Sequence, residues 1–513
     1  MIRLKSFVCG EWREGEGEGA TLFDPTTERP VATTSTKGLD FAAAAKHART
    51  VGGPKLRAMT FAERGALLKA MSKALYEARD PLLDASTLNA GTTRSDGKFD
   101  VDGATGTLAY YAGLGKKLGD RTFRVEGEGE QLTRSARFWG HHIQLPLQGF
   151  ACHVNAFNFP AWGFAEKAAV SILAGVPVIT KPATATALTT FRCFEVLHQA
   201  GLLADGVMQM VCGSAGDLLD HLGPQDVLAF TGSGEVGNQL RAPAIARGAR
   251  VNVEADSLNA VVLGPDVEPG SETWLMFVRD AAKEITQKTG QKCTATRRIF
   301  VPKSRVDAVI AALSEELAQI QYGKPDHEGV RMGPLASKQQ HDDVRTGIAA
   351  LLEAGAHEVW RGGDPIGAEK GKGWFVAPTL LRLDDLGPGI VHEREVFGPV
   401  STILPYDDVP DAIAAVARGE GGLVASVYSD DKKVLGDLIL GLAPWSGRVL
   451  AGSKKVADQA ISPGMVLPSC IHGGPGRAGG GEELGGERGL DFYTRRTAVQ
   501  GDRALLDRIF GLK

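Results

Sequence analysis

The residues that decide the fold run through five segments: Gly149-Phe-Ala-Cys-His-Val-Asn155, Val176-Pro-Val-Ile-Thr-Lys181, Val207-Met-Gln-Met-Val-Cys212, Val227-Leu-Ala-Phe230 and Val251-Asn-Val-Glu254. Each is a short, mostly apolar run, the mark of a strand buried on both faces. Between them lie helical periods at Phe164 to Leu173, Ala187 to Ala200 (closed by Gly201) and Gly234 to Arg247. This alternation predicts an α/β unit of the doubly wound, nucleotide-binding kind.

Upstream, Lys46 to Leu118 is mostly helical in pattern, and a Gly/Glu turn at Glu126-Gly-Glu-Gly129 sits in a predicted hairpin, Arg121–Val125 with Ala136–Leu145. Downstream, a second α/β block begins near Ser257 and extends to about Ala460. It includes a helix over Trp274–Lys288, a strand over Arg298–Val301, a helix over Val306–Gln319 and a strand near Val400–Leu404. The tail holds a glycine-dense stretch, Gly473 to Gly489, and then a strand-like Phe492–Gln500. A strand alone at a terminus needs a partner edge. We expect it to pair with a neighbouring subunit, together with the hairpin.

With 513 residues the chain is too long for one core and implies two or three domains. Its 57 basic and 61 acidic residues give a net charge of -4 without a long basic run, which argues against nucleic acid. Six cysteines (Cys9, Cys152, Cys193, Cys212, Cys293, Cys470) show neither paired metal spacing nor disulfide density, so no metal is expected and a reducing cytoplasm fits. No signal peptide or membrane span is visible, and the expected chain is soluble.

One cysteine stands out. Gln291-Lys-Cys293-Thr-Ala-Thr-Arg297 places Cys293 in a polar loop between the predicted helix, stopped by Gly290, and a strand. A thiolate there would be a ready nucleophile toward a carbonyl; taken alone, Cys293 reads as a packed core residue. Phe230-Thr-Gly232-Ser233-Gly234-Glu-Val-Gly237 matches the literal GxGxxG pattern, with Glu254 about 20 residues on where a ribose ligand would stand. That fingerprint normally occupies the first βα turn, and here several βα units precede it. In either case the helix start offers free N–H groups to a phosphate.

Asn155-Ala-Phe-Asn158-Phe-Pro160, Lys181-Pro182, Phe230-Thr-Gly-Ser233, Glu254, Gly290-Gln-Lys-Cys293 and Glu395-Val-Phe397-Gly398-Pro399 together resemble, in order and spacing, the aldehyde dehydrogenase superfamily. The resemblance covers nearly the whole chain. It implies two doubly wound α/β domains plus a small β oligomerisation arm: residues 1–120 and 148–256 for the dinucleotide, 257–465 for catalysis, and 121–147 with 485–505 for a homodimer or dimer of dimers. It makes Cys293 the nucleophile, Asn158 an oxyanion donor, Glu254 the general base, Lys167 a lysine behind that base, and Glu483 a proton-relay carboxylate. It makes Lys181, Thr184, Gly232, Ser233, Gly237, Glu395 and Phe397 cofactor contacts. Taken singly, Asn158 reads as a turn or cap residue, Lys181 as a strand end, Glu254 as a surface carboxylate, Glu395 and Phe397 as a turn with a packed aromatic, and Lys167 and Glu483 as structural charges.

Two departures from the family pattern stand out. Thr184 stands where many NAD-using members carry a glutamate; losing that carboxylate removes repulsion of a 2′-phosphate, so NADP is favoured, with NAD as the other cofactor. The second is Glu254-Ala-Asp-Ser-Leu258, which replaces small glycines near the base. The tail His472-Gly-Gly-Pro-Gly-Arg-Ala-Gly-Gly-Gly-Glu-Glu-Leu-Gly-Gly486 resembles family members of aerobic aromatic degradation through coenzyme A thioesters, benzoate degradation included. It implies a linear, CoA-conjugated semialdehyde oxidised to the carboxylate, with thioester hydrolysis assigned to Glu254. The absence of room for a hydratase-like domain favours a stand-alone enzyme. A broad-specificity aliphatic aldehyde dehydrogenase, and a non-catalytic binding or structural protein on the same fold, stay open. The glycine stretch taken alone reads as a flexible surface loop.

Overall fold

A computed structural model describes residues 1–512. The βα segments around residues 149–255 build a seven-stranded sheet, ordered Arg250–Ala255, Val227–Gly232, Ala151–Val154, Val178–Lys181, Met208–Met210, Ser6–Val8, Glu11–Arg13. The first five strands are parallel, and the two N-terminal ones add antiparallel to the edge. Chain order reverses between Ala151–Val154 and Val227–Gly232, where the crossover helices pass to opposite faces and leave a crevice beyond the strands' carboxyl ends.

Helix Trp162–Ala174 explains its own burial: nearly every side chain from Phe164 to Ala174 is apolar or small, and it lies inside the first core beside Leu108, Phe194 and Leu197. Arg64 shares that interior; its guanidinium donates to the carbonyls of Leu56 (2.8 Å) and Leu173 (3.0 Å). Such pairing is what makes a buried cation tolerable.

The second block carries its own seven-stranded sheet, ordered His357–Arg361, Thr379–Arg382, Val400–Tyr406, Arg298–Pro302, Ala260–Leu263, Gly422–Tyr428, Ser446–Gly452. Only the first pair is antiparallel. Its central strands are buried along their whole length, and helices close both faces over two apolar clusters.

Three expectations need correction. Strand Thr494–Asp502 pairs antiparallel with Phe138–Pro146 of its own chain, and Arg124–Gln131 completes a three-stranded sheet. The terminal strand therefore does not depend on another subunit for its ladder. Phe492 and Tyr493 belong instead to the helix Glu487–Tyr493 before it. The glycine-dense stretch is not a loose loop: Ile471–Gly473 and Glu482–Leu484 form an antiparallel hairpin that lies on the first sheet. A Cβ on Gly479 would run into the Val253 carbonyl, and one on Gly481 into Asn252. Glycine is what allows this close backbone approach.

Candidate active site

The Cys293 loop is held more tightly than its polar sequence suggests. Helix Glu272–Thr286 starts at Ser271, whose hydroxyl accepts from the Trp274 N–H at 3.2 Å, and it ends at Thr286, short of the expected Lys288. Lys288, Thr289 and Gly290 then follow with φ of 53°, 58° and 66°. Two non-glycine residues in the left-handed region cost on the order of 1–3 kcal/mol each and persist only where neighbours enforce them. Thr289 donates to the Gly333 carbonyl at 3.0 Å, and Arg297 donates to the carbonyls of Gly290 (3.0 Å) and Lys292 (3.1 Å). Lys292, fully buried, pairs with Glu284 at 2.6 Å. Asn259 donates to the Cys293 carbonyl at 2.8 Å. The loop is polar because its groups satisfy one another inside, and only Cys293 is half-buried among buried neighbours.

Asn158 is brought to this cysteine by Asp100. That carboxylate, on helix Arg94–Leu118, accepts from the N–H groups of Trp162 (2.7 Å) and Ala161 (3.2 Å) and so pins the start of the next helix and the loop before it. Asn158 donates one amide hydrogen to the Gln291 carbonyl at 3.0 Å. An amide carries two such hydrogens, so the other is left for an oxygen near Cys293, whose side chain lines the same pocket.

Glu254 comes from the carboxyl end of strand Arg250–Ala255 and is buried at 3% exposure. His472 Nε2 stands 3.0 Å from Glu254 Oε2 and 3.9 Å from Cys293 Sγ. Directly across the hairpin from His472 is Glu483, whose Oε2 meets Lys167 Nζ at 3.1 Å while Oε1 accepts from Asn252 at 3.1 Å. Lys167 also pairs with Glu166 at 3.3 Å. Glu254, Lys167 and Glu483 thus gather as the sequence suggested, while Glu166 and His472 were not assigned. Nothing in local periodicity singles out His472; the hairpin that pairs it with Glu483 carries it to the base.

Burial raises the Cys293 thiol well above its ordinary value, and the negative charges of Glu254 and Glu166 raise it further. Both effects favour the protonated thiol over the thiolate. Burial alone would also lift Glu254, but the imidazole charge and Lys167 more than offset it and hold the carboxyl below its usual range. His472 responds in kind: burial opposes its charge, and Glu254 overcomes this to raise it. Lys167 is likewise held protonated by Glu483 and Glu166 against burial. The site is a compact acid-base cluster in which the sulfur must lose its proton to a neighbour as it attacks.

On the other side of Cys293 opens a cavity of about 890 Å³ at the sheet's switch point. Lys181, Thr184, Phe230, Gly232, Ser233 and Phe397 line it. Lys181 makes no ion pair among the described residues, and burial lowers its value. Glu395 accepts from the Ser257 N–H at 3.1 Å and meets Arg297 at 3.4 Å; burial pushes its carboxyl up to about 7, with Arg297 acting the other way. Phe397 stacks edge-on against Phe157 (5.8 Å) beneath the Arg297 guanidinium (5.2 Å). Gly237, expected at the cofactor, is instead buried under its helix, where a Cβ would press on Val253 at 2.9 Å. It serves helix-on-sheet packing. The start of helix Gly234–Ala246 is also less open than expected: Asp256 accepts from the Gly234 N–H at 2.9 Å, and Ser233 accepts from Val236 at 3.4 Å.

A model of the aldehyde dehydrogenase family matches residues 12–499. The chain belongs to that family. The 3,4-dehydroadipyl-CoA semialdehyde dehydrogenase of Aromatoleum evansii is 45% identical over 481 residues, 92% of this dehydrogenase and 93% of the relative. Among solved structures, an NADP-dependent enzyme of E. coli superposes with a TM-score of 0.85 at 25% identity, covering 98% of each chain. The NAD+ complex of Staphylococcus aureus betaine aldehyde dehydrogenase gives 0.84 at 23% identity, covering 98% of this dehydrogenase and 95% of that chain, and speaks for the fold alone. As a family member the chain is an aldehyde dehydrogenase with the family's NAD(P) chemistry. No helix among the described residues is long and apolar enough to cross a membrane.

Proposed function

We propose that this aldehyde dehydrogenase oxidises a CoA-linked semialdehyde, of the 3,4-dehydroadipyl-CoA semialdehyde type, to its carboxylate with NADP, by a covalent thioester that water opens. The observation that carries the reading is the position of Cys293: its side chain lines both the dinucleotide-sized cavity and a pocket that holds Asn158, Glu254 and His472. The cavity fits a dinucleotide by its donor set, an unpaired Lys181, hydroxyls at Thr184 and Ser233, and the Glu395 carboxylate beside Phe397. When bound, the nicotinamide supplies the hydride acceptor.

The chain's residues do the rest. Cys293 gives its proton toward the Glu254–His472 pair and adds to the aldehyde carbon. The oxyanion is met by the Asn158 amide and the Cys293 backbone N–H, donors fixed in place before charge develops. Once hydride has left the carbon, a thioester joins the acyl group to Cys293. Glu254 takes a proton from water, hydroxide adds to the thioester, and the thiol departs. Lys167, Glu166 and Glu483 hold the charge balance behind Glu254. The rank of NADP over NAD rests on Thr184, and the choice of substrate on the Aromatoleum relative. We also assign residues 1–120 with 148–256 to the dinucleotide, 257–465 to catalysis, and 121–147 with 485–505 to a dimer or dimer of dimers. Six unpaired cysteines fit a cytoplasmic enzyme.

Initial rates with NADP and NAD, on a CoA-linked semialdehyde and on a plain aliphatic aldehyde, test the reading. A specificity constant higher by at least about tenfold for the conjugate with NADP, a difference of about 1.4 kcal/mol, supports it. Equal rates on plain aldehydes would replace it with a broad-specificity dehydrogenase.

A further inference from the structure

The Glu254 side of Cys293 brings together three side chains that can also act as metal ligands. One donor atom each from Glu254, Cys293 and His472 lie within 4.8 Å of one another. The set combines a thiol, an imidazole and a carboxylate, the three side chains that bind zinc. Zinc holds nitrogen and oxygen at about 2.0–2.2 Å and thiolate sulfur at about 2.3 Å, so a tetrahedral site sets sulfur about 3.5 Å from nitrogen and nitrogen about 3.4 Å from oxygen. The separations here, 3.9 Å for Sγ to Nε2 and 3.0 Å for Nε2 to Oε2, bracket those values. The sulfur and carboxylate oxygen lie within 4.8 Å, so shifts on the order of an ångström would complete the geometry.

Glu254 Oε2 meets His472 Nε2 at 3.0 Å and Glu483 Oε2 meets Lys167 Nζ at 3.1 Å, so a metal would take the place of the proton between His472 and Glu254. Three carboxylates, Glu166, Glu254 and Glu483, share this interior with Lys167 and His472, and the half-buried Arg448 adds positive charge nearby. The remaining coordination position would face the pocket beside Asn158 and Thr294, a space of about 30 Å³. That is room for about one or two waters.

We propose that Glu254, Cys293 and His472 form a site for Zn²⁺ that closes the enzyme reversibly by taking its nucleophile and its base together. The thiol proton, and the imidazolium proton where present, leave to solvent as Zn–S and Zn–N bonds form, with no change of oxidation state. Magnesium and calcium, which prefer oxygen ligands, do not compete. The site goes beyond the oxidation proposed above and does not need that reaction to be correct.

The test uses the full chain without aldehyde or dinucleotide. Equilibrium dialysis against Zn²⁺ in excess Mg²⁺ is expected to give one tightly held zinc per wild-type chain, and binding weaker by at least about 100-fold in both Cys293→Ala and His472→Gln. Undiminished binding in the two variants would overturn the site. Thiol mapping of the wild type keeps the proposal testable if a variant does not fold. Zinc is expected to protect Cys293 from iodoacetamide, reversed by a chelator, while exposed Cys470 serves as the internal reference. Alkylation of Cys293 at an unchanged rate would also overturn it.

Discussion

Cys293 divides two unlike spaces. Toward the sheet's switch point lies a cavity of about 890 Å³ with hydroxyls and one unpaired lysine. Toward the hairpin at 471–484 lies a pocket of about 30 Å³ crowded with titratable groups, nearly all paired. The open side is built to receive a large ligand. The crowded side is built to hold protons, and every charge there depends on a neighbour. Changes on the open side should therefore alter selectivity and affinity, and changes on the crowded side should alter turnover or folding.

The largest effect falls on the boundary itself. Cys293→Ser should lower initial dehydrogenase rates by at least about 10³-fold while leaving dinucleotide binding, measured by fluorescence titration, within about twofold. A variant that lost binding as well would erase the division between the two spaces. Next comes the support beneath the loop. Glu284→Ala strands the fully buried Lys292 ammonium, and removing one partner of a buried pair costs on the order of 3–5 kcal/mol. A marked fall in the thermal midpoint is expected; an unchanged midpoint would mean that the loop does not rely on this pair.

On the open side, Thr184→Glu should weaken NADP by about tenfold or more, a difference of about 1.4 kcal/mol, with less effect on NAD. Equal losses for both would remove Thr184 as the source of selectivity. The smallest effect is a pH dependence. Burial raises Glu395 to about 7, with Arg297 opposing and Asp256 adding to the rise. The carboxylate that would accept from a ribose is thus formed as pH rises through about 7, and dinucleotide affinity should strengthen across that range. Glu395→Gln should flatten the profile. The same shift means that ionising this buried acid costs stability as pH rises between its unfolded value of about 4.3 and about 7.

The two spaces were not equally legible in the sequence. The open side lies at strand ends, where short apolar runs followed by Asn155, Lys181 and Gly232 mark both strand and crevice. Its elements were placed with small shifts at their ends. Gly237 was misread because a glycine required by helix packing and one required by a phosphate look alike in a pattern. The crowded side is built from long-range contacts: Glu254 from one strand, Lys167 from a helix, and His472 with Glu483 from a hairpin more than 200 residues after the base. Six glycines between Gly473 and Gly481 suggested mobility, whereas they are the means by which the hairpin lies against Asn252 and Val253. The Cys293 loop was legible as a polar loop, but polarity says nothing of whether Arg297, Asn259 and Glu284 stand ready to pair with it.

The most direct test of the central claim, that Cys293 bonds the acyl group while Glu254 releases it, is a pre-steady-state burst with Glu254→Gln. The account predicts a stoichiometric burst of reduced dinucleotide, followed by turnover slowed by about 10²–10³-fold as the thioester waits for water. Steady turnover at the wild-type rate with the fold intact would contradict it.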